Sequence, residues 1–214
     1  ANLDFYCFDE VIPNPPIALV DRGAEIYARE KCDGLIGLGG GSSIDTAKSI
    51  GVVAAHGGSI GAFEWASPNP IQKRIPPLIA VPTTSGTGSE VTLWAVITDP
   101  ERKIKYNVGG TPLIGAHIAL LDPLLTLNLP APVTAGTGMD ALAHAIECYT
   151  CAYAQAWPDA VALQAMEYVG GYLRVAYAQG HNQEARYKMS MAAMLGGMAY
   201  GTESAGAAHA MSQT

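Results

Sequence analysis

The stretch Gly34-Leu-Ile-Gly-Leu-Gly-Gly-Gly-Ser-Ser-Ile-Asp-Thr-Ala-Lys48 decides the fold. Its first five residues predict a buried strand, its three consecutive glycines a tight turn, and the residues that follow a helix capped by Ser42. Glycines let a backbone approach a phosphate closely, and a helix N-terminus offers free N–H donors. The stretch therefore fits either a plain strand-to-helix turn or a nucleotide site built from Gly40, Gly41 and Ser42. Asp45, one turn further on, either meets a cofactor hydroxyl or amide or complements the helix dipole.

The segments around this stretch alternate between strand-like and helical patterns, which predicts a mostly parallel sheet covered by helices. After Pro130 the composition turns to Ala, Met and Leu, and the pattern becomes helical throughout. We therefore expect an α/β, Rossmann-like domain over residues 1–125 and an all-α domain over residues 126–214. The predicted strands are Ile17–Val20, Gly34–Leu38, Pro77–Pro82, Val91–Thr98, Ile104–Val108 and Ile118–Leu121, and the predicted helices are Asp21–Lys31, the one after Ser42, Ala131–Thr150, Pro158–Gln179 and Glu184–Tyr200.

The bulk composition narrows the class of protein before any site is considered. Of 214 residues, 49% are apolar and only 14% are charged, with a net charge of −7 and no basic run. This balance argues against nucleic acid and membranes as partners and favours a homo-oligomer, a dimer or larger. The four cysteines show no disulfide pattern and no apolar run reaches membrane-spanning length, so we expect a cytoplasmic protein. The Cys148-x-x-Cys151 pair is more typical of ordinary buried thiols than of a redox or structural motif.

A second candidate binding segment is Pro82-Thr-Thr-Ser-Gly-Thr-Gly-Ser-Glu-Val-Thr92, which follows the end of another predicted strand. Ligands in open α/β sheets bind beyond the carboxyl ends of strands. The hydroxyls of Thr83, Thr84, Ser85 and Thr87 are placed to donate to phosphate, ribose or nicotinamide amide. The alternative is a loop capped by its own hydroxyls.

Two lysines alternate along a predicted strand downstream of this loop. We expect one of the pair Lys103 and Lys105, with Lys105 as our choice, to point into the ligand cleft. The alternative is a solvated strand edge.

The candidate metal ligands begin with Asp140 and His144, which lie one helical turn apart and share one helix face. A lone histidine on an apolar helix is more often a core residue, but a buried carboxylate four residues earlier needs a partner. His209 lies downstream in a Gly/Ala-rich stretch that lets helices approach closely. One oxygen and two nitrogen ligands suit Fe²⁺, Zn²⁺ or Mn²⁺. His56, His117 and His181 lack such neighbours, and we interpret them as structural or solvent-facing.

Taken together, these segments resemble the iron-containing (group III) alcohol dehydrogenase family. The resemblance spans nearly the whole chain and rests on Phe8-Asp9, Pro13-Asn-Pro15, Cys32-Asp33, Gly39–Lys48, Pro82–Thr92, Leu121–Pro123, Gly138–Glu147 and Ala208–Met211. It implies a dehydroquinate synthase-like architecture, with a Rossmann-like domain, a helical domain and a cleft that holds NAD or NADP and one divalent metal, Fe²⁺ first. By motif match, Asp140, His144 and His209 are implied as metal ligands. Asn14 and Thr92 join the glycine turn and the threonine loop as implied cofactor residues.

Three departures from the family pattern bear on function. The family's opening strand and helix would lie before Ala1, and its fourth metal ligand, a histidine, would lie past Thr214, so we expect the chain to be truncated at both ends. Gln213 stands where many members carry a second histidine linked to nicotinamide positioning and proton relay.

The function expected from these observations is reversible hydride transfer between a primary or short-chain alcohol, or its aldehyde, and NAD(P), with the metal as Lewis acid. Two alternatives stay open. One is another activity of the same superfamily, that of a polyol or hydroxy-acid dehydrogenase or a metal-free reductase. The other is a catalytically inactive nucleotide-binding fragment.

Overall fold

The structure is a computed structural model that describes residues 4–153, 155–200 and 206–212. Short 3₁₀ turns at Ile60–Phe63, Pro112–Ile114 and Pro123–Thr126 connect the longer elements. These elements, in chain order, are α1 (Ile17–Arg29), β1 (Leu35–Gly39), α2 (Gly41–His56), β2 (Leu78–Pro82), β3 (Trp94–Asp99), β4 (Ile104–Gly109), β5 (Ile118–Ala119), α3 (Ala131–Tyr149), α4 (Ala156–Ala178), α5 (Gln183–Tyr200) and α6 (Ala207–Ser212).

The strands form two separate sheets. Strands β1, β2 and β5 pair in parallel in the order β1-β2-β5, as the alternating pattern predicts. Strands β3 and β4 pair only with each other, as an antiparallel hairpin in which Trp94 lies opposite Gly109. The hairpin departs from the expected parallel arrangement because the connection between β3 and β4 is too short for the crossover that parallel strands require.

The start of the first helix is the clearest error of the sequence reasoning. Ile17–Val20, predicted as a strand, forms the first turn of α1, which follows Pro16. Its buried residues Val20, Ala24 and Ile26 continue one helical face. A four-residue apolar run is too short for its periodicity to separate a strand from a helix.

Two further predictions around the glycine turn were wrong. The helix begins at Gly41 with Gly40 as its N-cap, and no side chain caps it, so Ser42 lies in the first turn rather than at the cap. Strand β1 is not buried on both sides, because Ile36 and Leu38 remain 65% and 59% exposed. The opposite face of β1 is the one that packs on α2, as the contact of Gly37 with that helix indicates.

The hydrophobic core divides into an α/β part and a helical part. In the first, α2 packs against the sheet and the hairpin, and residues such as Val52, Leu78 and Ile97 are fully buried. In the second, α3, α4 and α5 pack through many alanines, which lets the three helices lie close together. Within the described residues, no helix has both the length and the apolar character needed to cross a membrane.

The loop of residues 83–92 lies between these two parts of the chain. A Cβ atom on Gly86 would stand 2.6 Å from the Thr137 carbonyl oxygen of α3. A Cβ atom on Gly88, whose φ is +59°, would stand 2.7 Å from the Ala193 carbonyl oxygen of α5. The two glycines therefore let the loop backbone touch both helices, as larger side chains would not.

A buried arginine joins α5 to the segment that precedes α3. The Arg186 guanidinium is 1% exposed and donates to the Gly180 carbonyl at 2.7 Å, the Thr134 hydroxyl at 2.8 Å and the Leu129 carbonyl at 3.1 Å. Its three partners come from three different segments, so this side chain fixes how the helices meet.

We predict that Arg186→Leu lowers the free energy of unfolding by about 2–4 kcal/mol, because buried carbonyls lose their donors. Urea denaturation of the variant and the parent protein measures the difference. Arg174→Leu, at an exposed arginine of α4, is the matched control and should change stability by less than about 0.5 kcal/mol. Equal effects of the two substitutions would contradict an anchoring role for Arg186.

Candidate metal and cofactor site

The three candidate metal ligands lie together in the structure. Asp140 and His144 project from adjacent turns of α3, and α6 brings His209 against them. The Asp140 Oδ1 atom is 3.9 Å from His144 Nδ1 and 3.6 Å from His209 Nε2. One donor atom from each residue lies within 4.8 Å of the others, which is the arrangement a single cation requires.

The protonation of the two imidazoles also fits a cation site. His144 Nδ1 is buried without a hydrogen-bond partner, and burial lowers the pKa of this imidazole. Its lone pair is thus available at neutral pH. The Asp140 carboxylate, followed by Glu147, raises the pKa of His209. The imidazole thus lies between two carboxylates, with Nδ1 directed at Glu147 and Nε2 directed at Asp140, so a proton or a cation is favoured at Nε2.

Glu147 holds the third candidate ligand in place. Its Oε2 atom contacts His209 Nδ1, and its Oε1 atom accepts the Ala208 N–H at 2.6 Å and the His209 N–H at 3.2 Å. Burial alone would raise the pKa of Glu147, but the hydrogen bonds from His209 and Gly206 lower it below its ordinary value. Glu147 is therefore an ionised carboxylate directed at the histidine.

The glycine turn and the threonine loop form one continuous surface. The Thr83 N–H donates to the Gly39 carbonyl at 2.9 Å, which fixes the loop to the end of β1. A Cβ atom on Gly41 would stand 2.7 Å from Thr87 Cγ2. A Cβ atom on Gly40 would lie 3.3 Å from Thr84 Cγ2. The lack of side chains at Gly40 and Gly41 thus makes room for the loop, as well as for any phosphate that binds at the turn.

Asp45 binds the protein's own chain. Its carboxylate accepts the Ser89 hydroxyl and, at 2.9 Å, the Val96 N–H, so it joins α2 to both the loop and β3. Burial raises the pKa of Asp45, although the nearby Lys48 ammonium opposes that effect. This tether is a role that the sequence did not predict, since both partners lie more than forty residues away.

Lys48 forms a second buried tether. Its ammonium is fully buried and donates to the carbonyls of Thr92 and Trp94 at 2.8 Å each and to the Thr92 hydroxyl at 3.2 Å. Burial lowers its pKa to about 8, an effect opposed by Asp45 and Glu90. The Thr92 hydroxyl, a predicted cofactor group, therefore already has an intramolecular partner.

A cavity of about 270 Å³ contains most of the predicted site residues. The three candidate metal ligands line it together with Asn14, Gly41, Ser42, Asp45, Thr87, Thr92 and Lys105. Lys105 lines the cavity because it faces the same side of the hairpin as Val96, whereas Lys103 lies in the turn and is exposed. The candidate metal cluster and the glycine turn thus share one cavity.

Four predicted cofactor residues do not line this cavity, namely Gly40, Thr83, Thr84 and Ser85. The backbone of Thr83 and the side chain of Thr84 contact the glycine turn, next to Gly40. Ser85 is buried, and its hydroxyl lies 3.1 Å from that of Ser190 on α5. These contacts hold the loop against its neighbours.

The cavity also contains residues that sequence reasoning missed. The Tyr200 ring lies 5.0 Å from the His144 ring and 5.6 Å from the His209 ring. Tyr200 ends α5, 51 residues after the last residue of α3, so no local signal points to it. Asn107 lies two residues after Lys105 on β4 and therefore faces the same side of the strand. This period of two could have identified Asn107 from the sequence. The full set of missed lining residues is Ser89, Trp94, Val96, Asn107, Tyr200 and Ser212.

The remaining candidates lie apart from the cavity. His56 Nε2 accepts the N–H groups of Gln72 and Lys73 at 3.0 Å, and His117 Nδ1 accepts the Leu78 N–H at 3.2 Å, so both imidazoles have structural partners. His181 is exposed. The four cysteines form no disulfide. Gln213 lies outside the described residues.

Comparison with protein-family models identifies both parts of the chain. The model described as iron-containing alcohol dehydrogenase matches residues 1–123. The model described as the C-terminal part of the Fe-containing alcohol dehydrogenase family matches residues 134–214.

Individual relatives agree with these matches. The choline dehydrogenase of Bacillus subtilis (strain 168) is 58% identical, covering 100% of this chain and 53% of the relative. The NAD-dependent methanol dehydrogenase of Bacillus methanolicus is 43% identical, covering 99% of this chain and 55% of the relative. The crystal structure of sulfoacetaldehyde reductase from Bifidobacterium kashiwanohense with NAD⁺ superposes with a TM-score of 0.84 at 36% identity, covering 89% of this chain and 50% of the other. The chain thus spans about half the length of the relatives it matches.

We predict that Gly41→Ala weakens NADH binding about tenfold or more, because the added methyl group displaces Thr87 from the turn. NADH fluorescence titration of the full-length protein measures the dissociation constant. Gly170→Ala is the matched control, since a methyl group on this α4 glycine meets nothing within 4 Å. The control should leave NADH affinity unchanged and stabilise the helix by up to about 1 kcal/mol. Unchanged affinity in Gly41→Ala would contradict a cofactor role for the turn.

Proposed function

The chain belongs to the iron-containing alcohol dehydrogenase family, and we propose that its protein transfers hydride reversibly between an alcohol and NAD(P) with the help of one divalent metal. The observation that carries the proposal is the shared cavity, in which one carboxylate and two imidazoles lie beside a glycine turn at a helix N-terminus. A metal-activated alcohol and a nicotinamide ring must be neighbours for hydride to pass between them.

The proposed metal ligands are Asp140, His144 and His209. Their donor set, one oxygen and two nitrogens, suits a borderline divalent cation, and the family makes Fe²⁺ the first candidate before Zn²⁺ or Mn²⁺. The unpartnered, buried His144 Nδ1 atom supports this assignment, because a buried polar atom without a partner is costly unless a ligand satisfies it. When bound, such a cation would polarise the alcohol oxygen, and NAD(P)⁺ would accept the hydride while the hydroxyl proton is released.

The proposed cofactor groups line the same cavity. No side chain caps the start of α2, so the N–H groups near Gly41 and Ser42 remain available to a pyrophosphate. Asn14, Thr87 and Lys105 add an amide, a hydroxyl and a positive charge to the same cavity. For the predicted residues that lie outside it, the contacts support a role in holding the loop.

We extend the proposal to the whole protein in three respects. Residues 1–125 would form the cofactor-binding domain and residues 126–214 part of the metal-binding domain. The protein would be a cytoplasmic homo-oligomer, a dimer or larger, supported by the absence of a disulfide among its four cysteines and by its low fraction of charged residues. Its net charge of −7 argues against nucleic acid as a partner.

We predict that Asp140→Ala in the full-length protein removes most of the bound metal and lowers turnover by about two orders of magnitude or more. NADH affinity should change far less, because Asp140 is a proposed metal ligand and not one of the proposed cofactor groups. Elemental analysis, steady-state kinetics and NADH titration measure the three quantities. Asp33→Ala, at an exposed carboxylate, is the control. Normal turnover in Asp140→Ala would remove the metal from the proposed reaction.

A choline-like alcohol is a second, narrower candidate for the substrate. The similarity to choline dehydrogenase favours it, and so do the aromatic rings of Trp94 and Tyr200 in the cavity wall. A quaternary ammonium group cannot donate hydrogen bonds and is typically recognised by aromatic faces. Trp65 packs edge-on against Trp94 with ring centroids 6.0 Å apart, which fixes the orientation of the Trp94 ring.

We predict that Trp94→Leu raises the KM for choline about fivefold or more, because a leucine offers no π-face to the cation. The neutral isostere of choline, in which carbon replaces the quaternary nitrogen, serves as the comparison substrate. Its KM should change less than about twofold, since leucine retains apolar contact. Equal changes for the two substrates would exclude cation recognition by Trp94, and a protein that oxidises simple primary alcohols but not choline would exclude this substrate class.

A further inference from the structure

The carboxylate that holds His209 comes from the same helix as the other two candidate ligands. Glu147 lies seven residues after Asp140 and three after His144, so all three side chains share one face of α3. The Glu147 side chain is only 10% exposed, and no other contact of the described residues directs a carboxylate to His209 Nδ1. Helix α3 therefore carries two donors and the group that orients the third.

The contact with Glu147 selects one tautomer of His209. A carboxylate accepts hydrogen bonds only, so Nδ1 must carry the proton, and in the neutral ring Nε2 then carries the lone pair. Nε2 is the atom that faces Asp140 at 3.6 Å. The nitrogen that can bind a cation is thus directed at the cluster, and the one that cannot is directed at Glu147.

Glu147 also fixes the backbone that carries the imidazole. Its Oε1 atom accepts the backbone N–H groups of Ala208 and His209, while Oε2 takes the imidazole. The backbone can come this close because Gly206 has no side chain. A Cβ atom at this position would stand only 2.9 Å from the Glu147 carboxyl carbon. One carboxylate therefore sets both the position and the rotation of the ring.

We propose that Glu147 is a positioning residue for the metal centre, which holds His209 in the tautomer and orientation that bind the cation. The inference rests on the proposed function, because it takes the three donors to share one metal. A carboxylate behind a histidine ligand fixes the ring and makes it a better donor, and loss of such a partner typically weakens metal binding about 10–100-fold.

The sharpest variant is Glu147→Gln, which keeps the size of the side chain. If its amide oxygen accepts the two backbone N–H groups, its NH₂ group faces Nδ1 and favours the tautomer with the proton on Nε2, which cannot bind metal. If the amide is flipped, the NH₂ group meets the backbone donors instead. Either orientation loses an interaction that the carboxylate provides.

The test measures the dissociation constant of Zn²⁺ alone by competition with a chromophoric chelator, using the full-length protein. We expect Glu147→Gln to weaken Zn²⁺ binding about 10–100-fold and to leave NADH affinity within about twofold. Turnover should recover in part at saturating metal, which a merely structural defect would not produce. Glu167→Gln is the matched control, since Glu167 is an exposed α4 residue whose carboxylate accepts a hydrogen bond from Gln164, and it should behave as the parent protein.

The outcomes separate this inference from the proposed function. If the parent protein binds Zn²⁺ through Asp140 and Glu147→Gln binds it equally well, the positioning role is overturned and the metal centre stands. If the parent protein binds no divalent metal, the proposed function falls first. Should Glu147→Gln fail to fold by circular dichroism, Glu147→Asp decides: the shorter carboxylate should fold and bind Zn²⁺ more weakly, and unchanged binding would overturn the inference.

Discussion

The close approach of loop 83–92 to its neighbours on two sides is the constraint on which the site depends. On one side, Gly41 leaves the space that Thr87 fills, and on the other, Gly86 and Gly88 let the loop touch α3 and α5. Because these contacts are made at van der Waals distance, the loop fixes the separation between the glycine turn and the helix that carries Asp140. The shape of the cavity therefore depends on the close approach of the loop to the glycine turn on one side and to the two helices on the other.

Hydrogen bonds made by two charged side chains of α2 add to these contacts and hold both the loop and β3 to that helix. Asp45 and Lys48 lie one turn apart on the helix and reach Ser89, Val96, Thr92 and Trp94 across the interface. Such groups are costly to bury, and they stabilise a fold only when each has well-placed partners. The benefit of this arrangement is geometric: directional bonds specify one position of the loop, whereas apolar packing tolerates several.

The parts of the site that were predictable from sequence are those encoded by local periodicity. Spacing alone placed Asp140 beside His144, and of the two alternating lysines considered, Lys105 is the one that lines the cavity, as chosen. The parts that were missed depend on distant chain segments. The tether from Asp45 to Val96 and the arrival of Tyr200 at the histidines are made by tertiary packing, which no local pattern records. The strand predicted for Ile17–Val20 was wrong for a local reason. A short apolar run carries too little periodicity to identify the helix that it begins.

The three proposed metal ligands come from two different segments of the chain, and this has a physical consequence. Asp140 and His144 belong to a long helix packed against α4 and α5, so their relative geometry is set whether or not a cation is present. His209 belongs to α6, a separate segment whose described residues contact α3. Because Glu147 supplies the carboxylate for those contacts, α3 both presents two donors and recruits the third. A cation that joins His209 to Asp140 would strengthen the same junction, so the stability of the α3–α6 contact and metal affinity are two measures of one coupled equilibrium.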